Sequence, residues 1–189
     1  MSLCERCELN KAKVRLDNSA EESSMYLCTD CYNEIMVEEL EVNIEPLIES
    51  FSIKDHQGTS RTFHVERRLH PMGIYLEAAE NVDFGYKFAV HGELNCNQQE
   101  LLNKLIEKAR RGTRKQQIEQ RAFPSGQTYN SIIDNQITGL LDYDEACDGT
   151  PLVIVDGKPY KWEELGKMLM AYEGFQIKLI TYDITDDVE

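Results

Sequence analysis

The chain has 189 residues, of which 41% are hydrophobic and 29% charged, so it is able to form a folded core. Its net charge of −14 argues against wholesale nucleic-acid binding, because phosphate contacts need clustered lysine and arginine. The N-terminal residues lack the apolar core of a signal peptide, and no run approaches the roughly 18 apolar residues of a membrane span. We therefore expect a soluble, cytoplasmic protein.

The N-terminal residues predict a small module built as knuckle, hairpin, knuckle and helix, which we place at 1–42. After the first cysteine pair, the run KAKVRL alternates charged and apolar residues, as a half-buried strand does. The polar stretch DNSAEESS predicts a turn, and MYL returns as the second strand. From Tyr32 onwards the apolar residues fall at helical spacing.

Two Cys-x-x-Cys pairs in this module predict one tetrahedral Zn²⁺ site with the ligands Cys4, Cys7, Cys28 and Cys31. A two-residue spacer lets each pair fold as a tight knuckle with both sulfurs towards one ion, and the intervening segment 8–27 has a usual length. A helix that begins beside the second pair favours thiolate charge. Because cysteine fills all four positions and leaves none for water, we expect a structural rather than a catalytic zinc.

Two alternatives to zinc stay open, a redox-active dithiol and an iron–sulfur cluster. A thioredoxin-like motif comes singly in a βαβ context, which is missing here, and a reducing compartment disfavours disulfides. We expect metal binding to supply most of the stability of so small a module. The two remaining cysteines, Cys96 and Cys147, stand alone and are predicted to be buried or idle thiols.

Residues 43–189 predict one α+β domain with a mostly antiparallel sheet and two or three helices. Apolar residues alternate with polar ones around 63–65, 74–78 and 86–90, and an earlier apolar segment lies at 47–53. This pattern is typical of an antiparallel meander of about four strands with one solvated face.

A helix is predicted after the meander, with Asn97 and Glu100 at capping-box spacing and Gly112 as its end. Its buried stripe consists of Leu101, Leu102, Leu105, Ile106 and Ala109. The following stretch, TRKQQIEQRAFPSGQTYN, reads as a second, polar helix that ends in a loop.

The last third of the chain predicts a hairpin, a helix and a strand. PLVIVDGKPY has the two-residue turn Asp156-Gly157 between two short strands. WEELGKMLMAYEG is an amphipathic helix that ends at Gly174, with the inward residues Trp162, Leu165, Leu169 and Tyr172. FQIKLITY is predicted to be a final strand, and DITDDVE an acidic tail that frays.

The run CERCELNKAKVRL, followed by MYLCTDCYNEIM, resembles a treble-clef zinc module. It is similar to the N-terminal segment of McsA-type activators of bacterial protein-arginine kinase and, more loosely, to the zinc-binding domain of the ClpX unfoldase. The resemblance covers residues 3–40 and implies a module for dimerisation or for docking adaptors and substrates. The second set of paired cysteines found in McsA is absent here, so kinase activation is not carried over. DGKPYKWEELGKMLMAYEGF resembles segments of uncharacterised bacterial proteins and implies no activity.

Three histidines, His64, His70 and His91, fall on the polar side of the predicted strands. In the strand phases above they share that side with Glu66, Arg68, Tyr75, Glu77 and Lys87. Imidazoles and carboxylates on one sheet face are able to bind a ligand or to transfer protons. The alternative is an ordinary solvated face of an antiparallel sheet.

The stretch from Lys104 to Arg121 is basic within an acidic chain, which suits a contact to phosphate or to an acidic partner. Its basic residues are Lys104, Lys108, Arg110, Arg111, Arg114, Lys115 and Arg121. The alternative is a helix whose last turn carries favourable positive charge, followed by a solvated segment. These patterns favour a non-enzymatic, zinc-stabilised adaptor or regulator of the bacterial cytosol that contacts partner proteins or a second copy of itself. The alternative function is a nucleic-acid-binding regulator that uses the zinc module and this basic stretch.

Overall fold

A computed structural model describes residues 2–18, 23–145, 147 and 149–188. The predicted turn DNSAEESS therefore lies partly outside the described residues, at 19–22, as does the final residue of the predicted tail. The described helices are α1 (Thr29–Leu40), α2 (Gln98–Arg114) and α3 (Trp162–Leu169), the last continuing as a 3₁₀ turn, Met170–Tyr172. The described strands are β1 (Val14–Asn18), β2 (Ser23–Leu27), β3 (Ser50–Lys54), β4 (Ser60–His70), β5 (Gly73–Glu80), β6 (Lys87–Gly92), β7 (Ile118–Ala122), β8 (Thr128–Ile132), β9 (Leu140–Asp142), β10 (Leu152–Val155) and β11 (Lys158–Tyr160). All pair antiparallel, which confirms the predicted α+β class.

The largest sheet is the predicted meander, with the order β3-β4-β5-β6. The register places Leu69 opposite Ile74 and Leu76 opposite Val90, so the apolar residues of neighbouring strands share one face. Helix α2 covers that face, since its stripe residues belong to the same buried cluster as Phe63. The helix begins as predicted, because the Asn97 side chain accepts a hydrogen bond from the Glu100 N–H at 3.0 Å.

The predicted end of α2 at Gly112 is wrong, because the helix continues to Arg114. Gly112 serves close packing: a Cβ atom there would lie 2.4 Å from Cε1 of Phe88 on β6. The glycine lets the last turn of the helix approach the aromatic ring. The spacing of apolar residues carried no sign of this contact, since Phe88 lies on another element.

The polar helix predicted after α2 is also wrong, and residues 118–132 form the hairpin β7–β8 instead. Main-chain N–H groups of Gln117 and Ile118 both donate to Oδ2 of Asp156, each at 2.9 Å. These two N–H groups therefore bind a carboxylate that is distant in sequence and do not continue the hydrogen bonds of the helix. Ile118 and Ile132 pair across the hairpin and are buried in a second apolar cluster.

The second cluster contains the hairpin and helix that were predicted near the end of the chain. Strands β9, β10 and β11 form a three-stranded sheet, and the β10–β11 turn is Asp156-Gly157 as predicted, with positive φ at both residues. Helix α3 buries Leu165 and Met168 against Val155. The predicted inward residues Trp162, Leu169 and Tyr172 pack on this cluster while remaining partly exposed.

The last predicted strand, FQIKLITY, is not formed, and residues 175–182 lie outside every described helix and strand. The acidic tail that follows was predicted to fray, but it is bound to α2 as far as Asp187. The Lys108 ammonium donates to the main-chain oxygens of Ile184 at 2.9 Å and Asp186 at 2.5 Å, and Arg111 pairs with Asp187 at 2.6 Å. None of the described helices is long and apolar enough to cross a membrane.

The N-terminal module packs on the large sheet and shares its buried core. Helix α1 lies along the part of β4 that extends beyond its pairing with β3. The Asn33 side chain there donates to the main-chain oxygen of Arg67 at 2.7 Å and accepts from the N–H of Leu69 at 2.9 Å. On the polar side of β4, Glu66 accepts hydrogen bonds from Lys13 at 2.6 Å and Thr29 at 2.5 Å. The module is therefore docked by both apolar and polar contacts.

Candidate metal centre

The first cysteine pair lies in a tight loop that main-chain hydrogen bonds close. The Cys4 N–H donates to the Asn10 oxygen at 2.8 Å, and the Glu8 N–H donates to the Cys4 oxygen at 2.9 Å. Glu8 takes a left-handed conformation, with φ of 55°. This reversal lets Cys4 and Cys7 face the same side of the loop, as the two-residue spacer predicted.

The second pair lies at the start of α1. Cys28 is the N-cap residue, and no side-chain capping hydrogen bond is present there, so its sulfur is available for another partner. Cys31 follows in the first turn. The partial positive charge of the helix N-terminus favours thiolates at these positions.

The β1–β2 hairpin brings the two pairs together. Its two strands pair from Val14 opposite Leu27 onwards, so the residues just outside them are neighbours. The Glu5 N–H donates to the Tyr26 oxygen at 2.9 Å, and the Lys13 N–H donates to the Leu27 oxygen at 2.8 Å. The first loop is thereby fixed against the strand that leads into Cys28.

The four cysteine sulfurs form one compact group. All of them lie within 4.8 Å of one another, and Cys7 Sγ is 3.9 Å from Cys28 Sγ. A tetrahedral zinc with Zn–S bonds near 2.3 Å would hold its sulfurs about 3.8 Å apart. A disulfide would need an S–S distance of about 2.05 Å, and all four cysteines are free. The grouping suits a metal ion and does not by itself identify the metal.

The surroundings favour negative charge on the first pair. Burial would raise the pKa of Cys4, but the N–H groups of Cys28, Cys7 and Arg6 outweigh it and lower the pKa to about 6. The N–H groups of Asn10 and Leu9 lower the pKa of Cys7. The thiols of Cys4 and Cys7 therefore ionise more readily than an ordinary cysteine.

The buried position of the fourth ligand opposes ionisation of the whole group. Burial, together with the neighbouring thiols, raises the pKa of Cys31. Four thiolates this close repel one another strongly in a buried site, so a divalent ion is the natural compensating charge. The donor set, all sulfur and mostly buried, fits zinc or another thiophilic metal.

Two polar side chains surround the cluster. Asn10 directs its side-chain amide at Cys28 Sγ over 3.9 Å. The Arg6 guanidinium donates to the main-chain oxygen of Cys31 at 3.0 Å and pairs with Glu34 at 3.1 Å. Such contacts hold ligands in position and moderate the negative charge of a metal–thiolate site. The sequence pattern did not single out either residue.

The lone cysteines take no part in the cluster. Cys147 is exposed. Cys96 is partly buried beside Gly92 and Leu101, where burial raises its pKa. Both are free thiols, and Cys147 is not buried.

The polar sheet face has the predicted composition. The register places Glu66 opposite Glu77, Arg68 opposite Tyr75 and Tyr75 opposite His91, so the predicted strand phases are confirmed. Glu66 binds the N-terminal module, and other side chains of the face bind one another or the neighbouring turn. Tyr75 donates to Glu77 at 3.3 Å, Lys87 lies 3.8 Å from Glu77, and His70 accepts from the Met72 N–H at 3.2 Å.

One member of this face, His91, lines a cleft of about 520 Å³ between α2, the end of β6 and residues 185–187. Its walls carry both signs of charge, from Glu100, Lys104, Glu107, Arg111 and Asp187. His64 and His70 lie outside it. The structure therefore does not bring the three histidines together in one cavity.

Most side chains of the basic stretch already have partners in the chain. Besides the contacts of Lys108 and Arg111 to residues 184–187, Arg110 pairs with Glu107, Lys115 with Asp134 at 3.4 Å and Arg121 with Glu119 at 2.5 Å. Among the described contacts, Lys104 and Arg114 have no ion pair. The stretch is also divided between α2 and β7, so it does not form one continuous basic face.

Two side chains that hold the segment after the module, Arg67 and Gln98, were not predicted. Arg67 donates to the Glu45 oxygen and to Gln98 Oε1, each at 2.7 Å, and Gln98 donates to the Asn43 oxygen at 2.7 Å. These bonds fix the connecting segment 43–45 against the first turn of α2. A buried glutamine at a helix start has no sequence signal that separates it from an exposed one.

Three protein-family models match the chain, each described as a domain of unknown function. They are DUF7685 at residues 3–43, DUF7686 at 45–114 and DUF7713 at 117–186. Neither the search of curated proteins nor that of solved structures found a match. The first segment contains the cysteine cluster and the second contains the large sheet with α2. The domain boundaries drawn from the sequence, 1–42 and 43–189, stay predictions.

Proposed function

We propose that this chain is a non-enzymatic adaptor or regulator whose N-terminal module contacts a partner protein and is held in shape by a structural zinc ion. The observation that carries the proposal is the closed cluster of four cysteines. A site whose four positions are all thiols leaves no place for a reacting water, and such sites stabilise folds.

The proposed metal is Zn²⁺, bound by Cys4, Cys7, Cys28 and Cys31 in a treble-clef module. The order of loop, hairpin, second pair and helix supports this fold, with Cys28 at the N-cap of α1. The same order underlies the resemblance to the McsA-type and ClpX modules, which serve docking or dimerisation. The resemblance supports an interaction role in the cytosol of a bacterium.

The outer surface of the module supplies apolar groups for such contacts. Leu3, Leu9, Met25 and Tyr26 are between 43% and 83% exposed. Leu9 lies in the first metal loop and Tyr26 on the strand that leads to the second pair. A metal that fixes both elements would present these side chains in a defined arrangement, at lower entropic cost than a flexible loop.

Nucleic-acid binding is the second candidate, and the contacts favour it less. Lys108, Arg110 and Arg111 of α2 already bind carboxylates and carbonyls inside the chain, which leaves Lys104 and Arg114 as its basic residues without an ion pair among the described contacts. The net charge of −14 adds general repulsion from phosphates.

Metal analysis of the purified chain tests the metal half of the proposal. One zinc per chain is expected, and Cys4→Ser with Cys28→Ser should abolish it while Cys96→Ser retains it. Unchanged metal content and folding in the double variant would contradict the site.

Comparative affinity capture tests the interaction half. A specific partner should be lost when Leu9 and Tyr26 are both replaced by aspartate in a chain that keeps its zinc. Met72→Asp, an exposed change in the β4–β5 turn, is the matched control and should retain the partner. Equal capture by both variants would contradict the proposed surface.

A further inference from the structure

Every residue of the segment 175–182, FQIKLITY, is exposed. Its five large apolar side chains, Phe175, Ile177, Leu179, Ile180 and Tyr182, are between 49% and 77% exposed. No hydrogen bond joins the main chain of residues 176–182 to another described residue. Its alternation is that of a strand, and an apolar strand without a neighbour is a template for pairing with another chain.

Both ends of this segment are held on the body of the protein. At one end the Phe175 N–H donates to the Tyr172 oxygen at 2.9 Å, and the two rings meet edge to face with centroids 5.8 Å apart. At the other end Lys108 and Arg111 of α2 hold residues 184–187. The segment is thus presented at a fixed place on the surface, which lowers the entropic cost of pairing.

We propose that residues 178–183 pair antiparallel with the same residues of a second copy of the chain. Pairing stops at Asp183 because its main-chain N–H and oxygen already bond to Asp186 and the following residues are bound to α2. A two-fold axis then places Lys178 opposite Asp183 of the second copy, and the reverse, while Leu179 faces Tyr182 and Ile180 faces Thr181. The contact is isologous, as in most homodimers.

The charges of the segment favour this register over the alternative registers. Lys178 is the one charged residue of the segment 175–182, and Asp183 is the first acidic residue after it. A register that pairs the whole of 175–183 with itself would place Phe175 opposite Asp183, and one centred on Lys178 would oppose two lysines. Opposite charges directly across an antiparallel pair stabilise it, and like charges destabilise it.

Sedimentation equilibrium of the full chain, with charge-reversal variants, tests the proposal. The wild type should dimerise, and Lys178→Asp and Asp183→Lys should each raise the dimer dissociation constant at least about tenfold. The double variant, or a mixture of the two single variants, should restore association because the charges are again complementary. Each variant is first shown to have the wild-type thermal unfolding midpoint.

Three results would overturn the proposal. They are a wild type that stays monomeric at every concentration, a dimer that neither single variant weakens, and a weakened dimer that the double variant fails to restore. Glu173→Lys, an exposed charge reversal just before the segment, is the matched control and should leave the dissociation constant unchanged. The test does not depend on the metal site, so it can fail or succeed independently of the proposed function.

Discussion

The side-chain amide of Asn33 occupies the unpaired edge of β4, where its oxygen accepts the Leu69 N–H at 2.9 Å. The amide group also donates to the oxygen of Arg67, so one side chain takes the place of a neighbouring strand. Edge strands with open hydrogen-bonding groups invite unwanted pairing, and a helix that covers them removes this risk. The N-terminal module therefore protects the large sheet as well as depending on it.

Asn33→Ala should destabilise the protein by about 1–3 kcal/mol, because it leaves a main-chain donor and acceptor without partners. Urea unfolding followed by circular dichroism measures the free energy of unfolding. Asn103→Ala, an exposed change on α2, is the control and should shift it by less than about 0.5 kcal/mol. Equal effects of the two substitutions would contradict the edge-covering role.

Chelation should unfold the module and expose the edge of β4, because the proposed metal ion holds the module in shape. The loss of several kcal/mol should lower the thermal unfolding midpoint of the apolar cluster around Phe63, which the module shares with the large sheet, by about 10 °C or more. Limited proteolysis should then cleave within the N-terminal module first, while the cluster around Ile118 and Leu165 stays protected. A chelator-treated chain with unchanged cleavage and midpoint would show that the cysteines need no metal.

The features that the sequence predicts correctly are those set by local sequence patterns. The spacing of the cysteines was enough to group their four sulfurs, and alternation was enough to order the four strands of the meander. The turn at Asp156-Gly157 follows from residues that tolerate positive φ. In each case neighbours in sequence determine the outcome.

The predictions from sequence fail where contacts between residues distant in sequence determine the local structure. The β7–β8 hairpin depends on the Asp156 carboxylate, which binds the N–H groups of Gln117 and Ile118 from far along the chain. The docking of the module rests on Glu66 with Lys13 and Thr29, which no local periodicity reveals. FQIKLITY has the pattern of a strand, but a strand needs a partner, and the described chain supplies none.

Asp55→Asn should destabilise the protein at neutral pH by about 1.5–3 kcal/mol. The carboxylate accepts from the N–H groups of Gln57 and Thr59 and from Arg61, each at 2.9 Å. Burial alone would raise the pKa of Asp55, but the Arg61 guanidinium and the two N–H groups outweigh it and hold the pKa below its ordinary value.

The pH dependence of this effect has a definite sign. A lowered pKa in the folded state stabilises above the unfolded pKa, near 3.9, and this stabilisation is lost as pH falls through the folded value. The difference between wild type and Asp55→Asn should therefore be full above about pH 5 and shrink below about pH 4. Asp83→Asn, on an exposed loop, is the control. A difference that stays constant down to pH 2 would contradict the role of the charge.

Two helical glycines should respond to alanine with opposite signs. Alanine is favoured over glycine inside a helix by about 1 kcal/mol. At Gly166 of α3 a new Cβ would meet no atom within 4 Å, so Gly166→Ala should stabilise the protein by up to that amount. At Gly112 of α2 the Cβ would lie 2.4 Å from the Phe88 ring.

Phe88 has little freedom to move away from such a Cβ, since its ring packs against those of Phe63 and Tyr86 with centroids 6.0 Å apart in each case. Overpacking of this kind costs about 1–3 kcal/mol, which exceeds the helical gain. Gly112→Ala should therefore lower the free energy of unfolding by about 1 kcal/mol in the same urea titration. If both substitutions stabilise the chain, Gly112 is an ordinary helical position and its contact with Phe88 does not determine where α2 packs on the sheet.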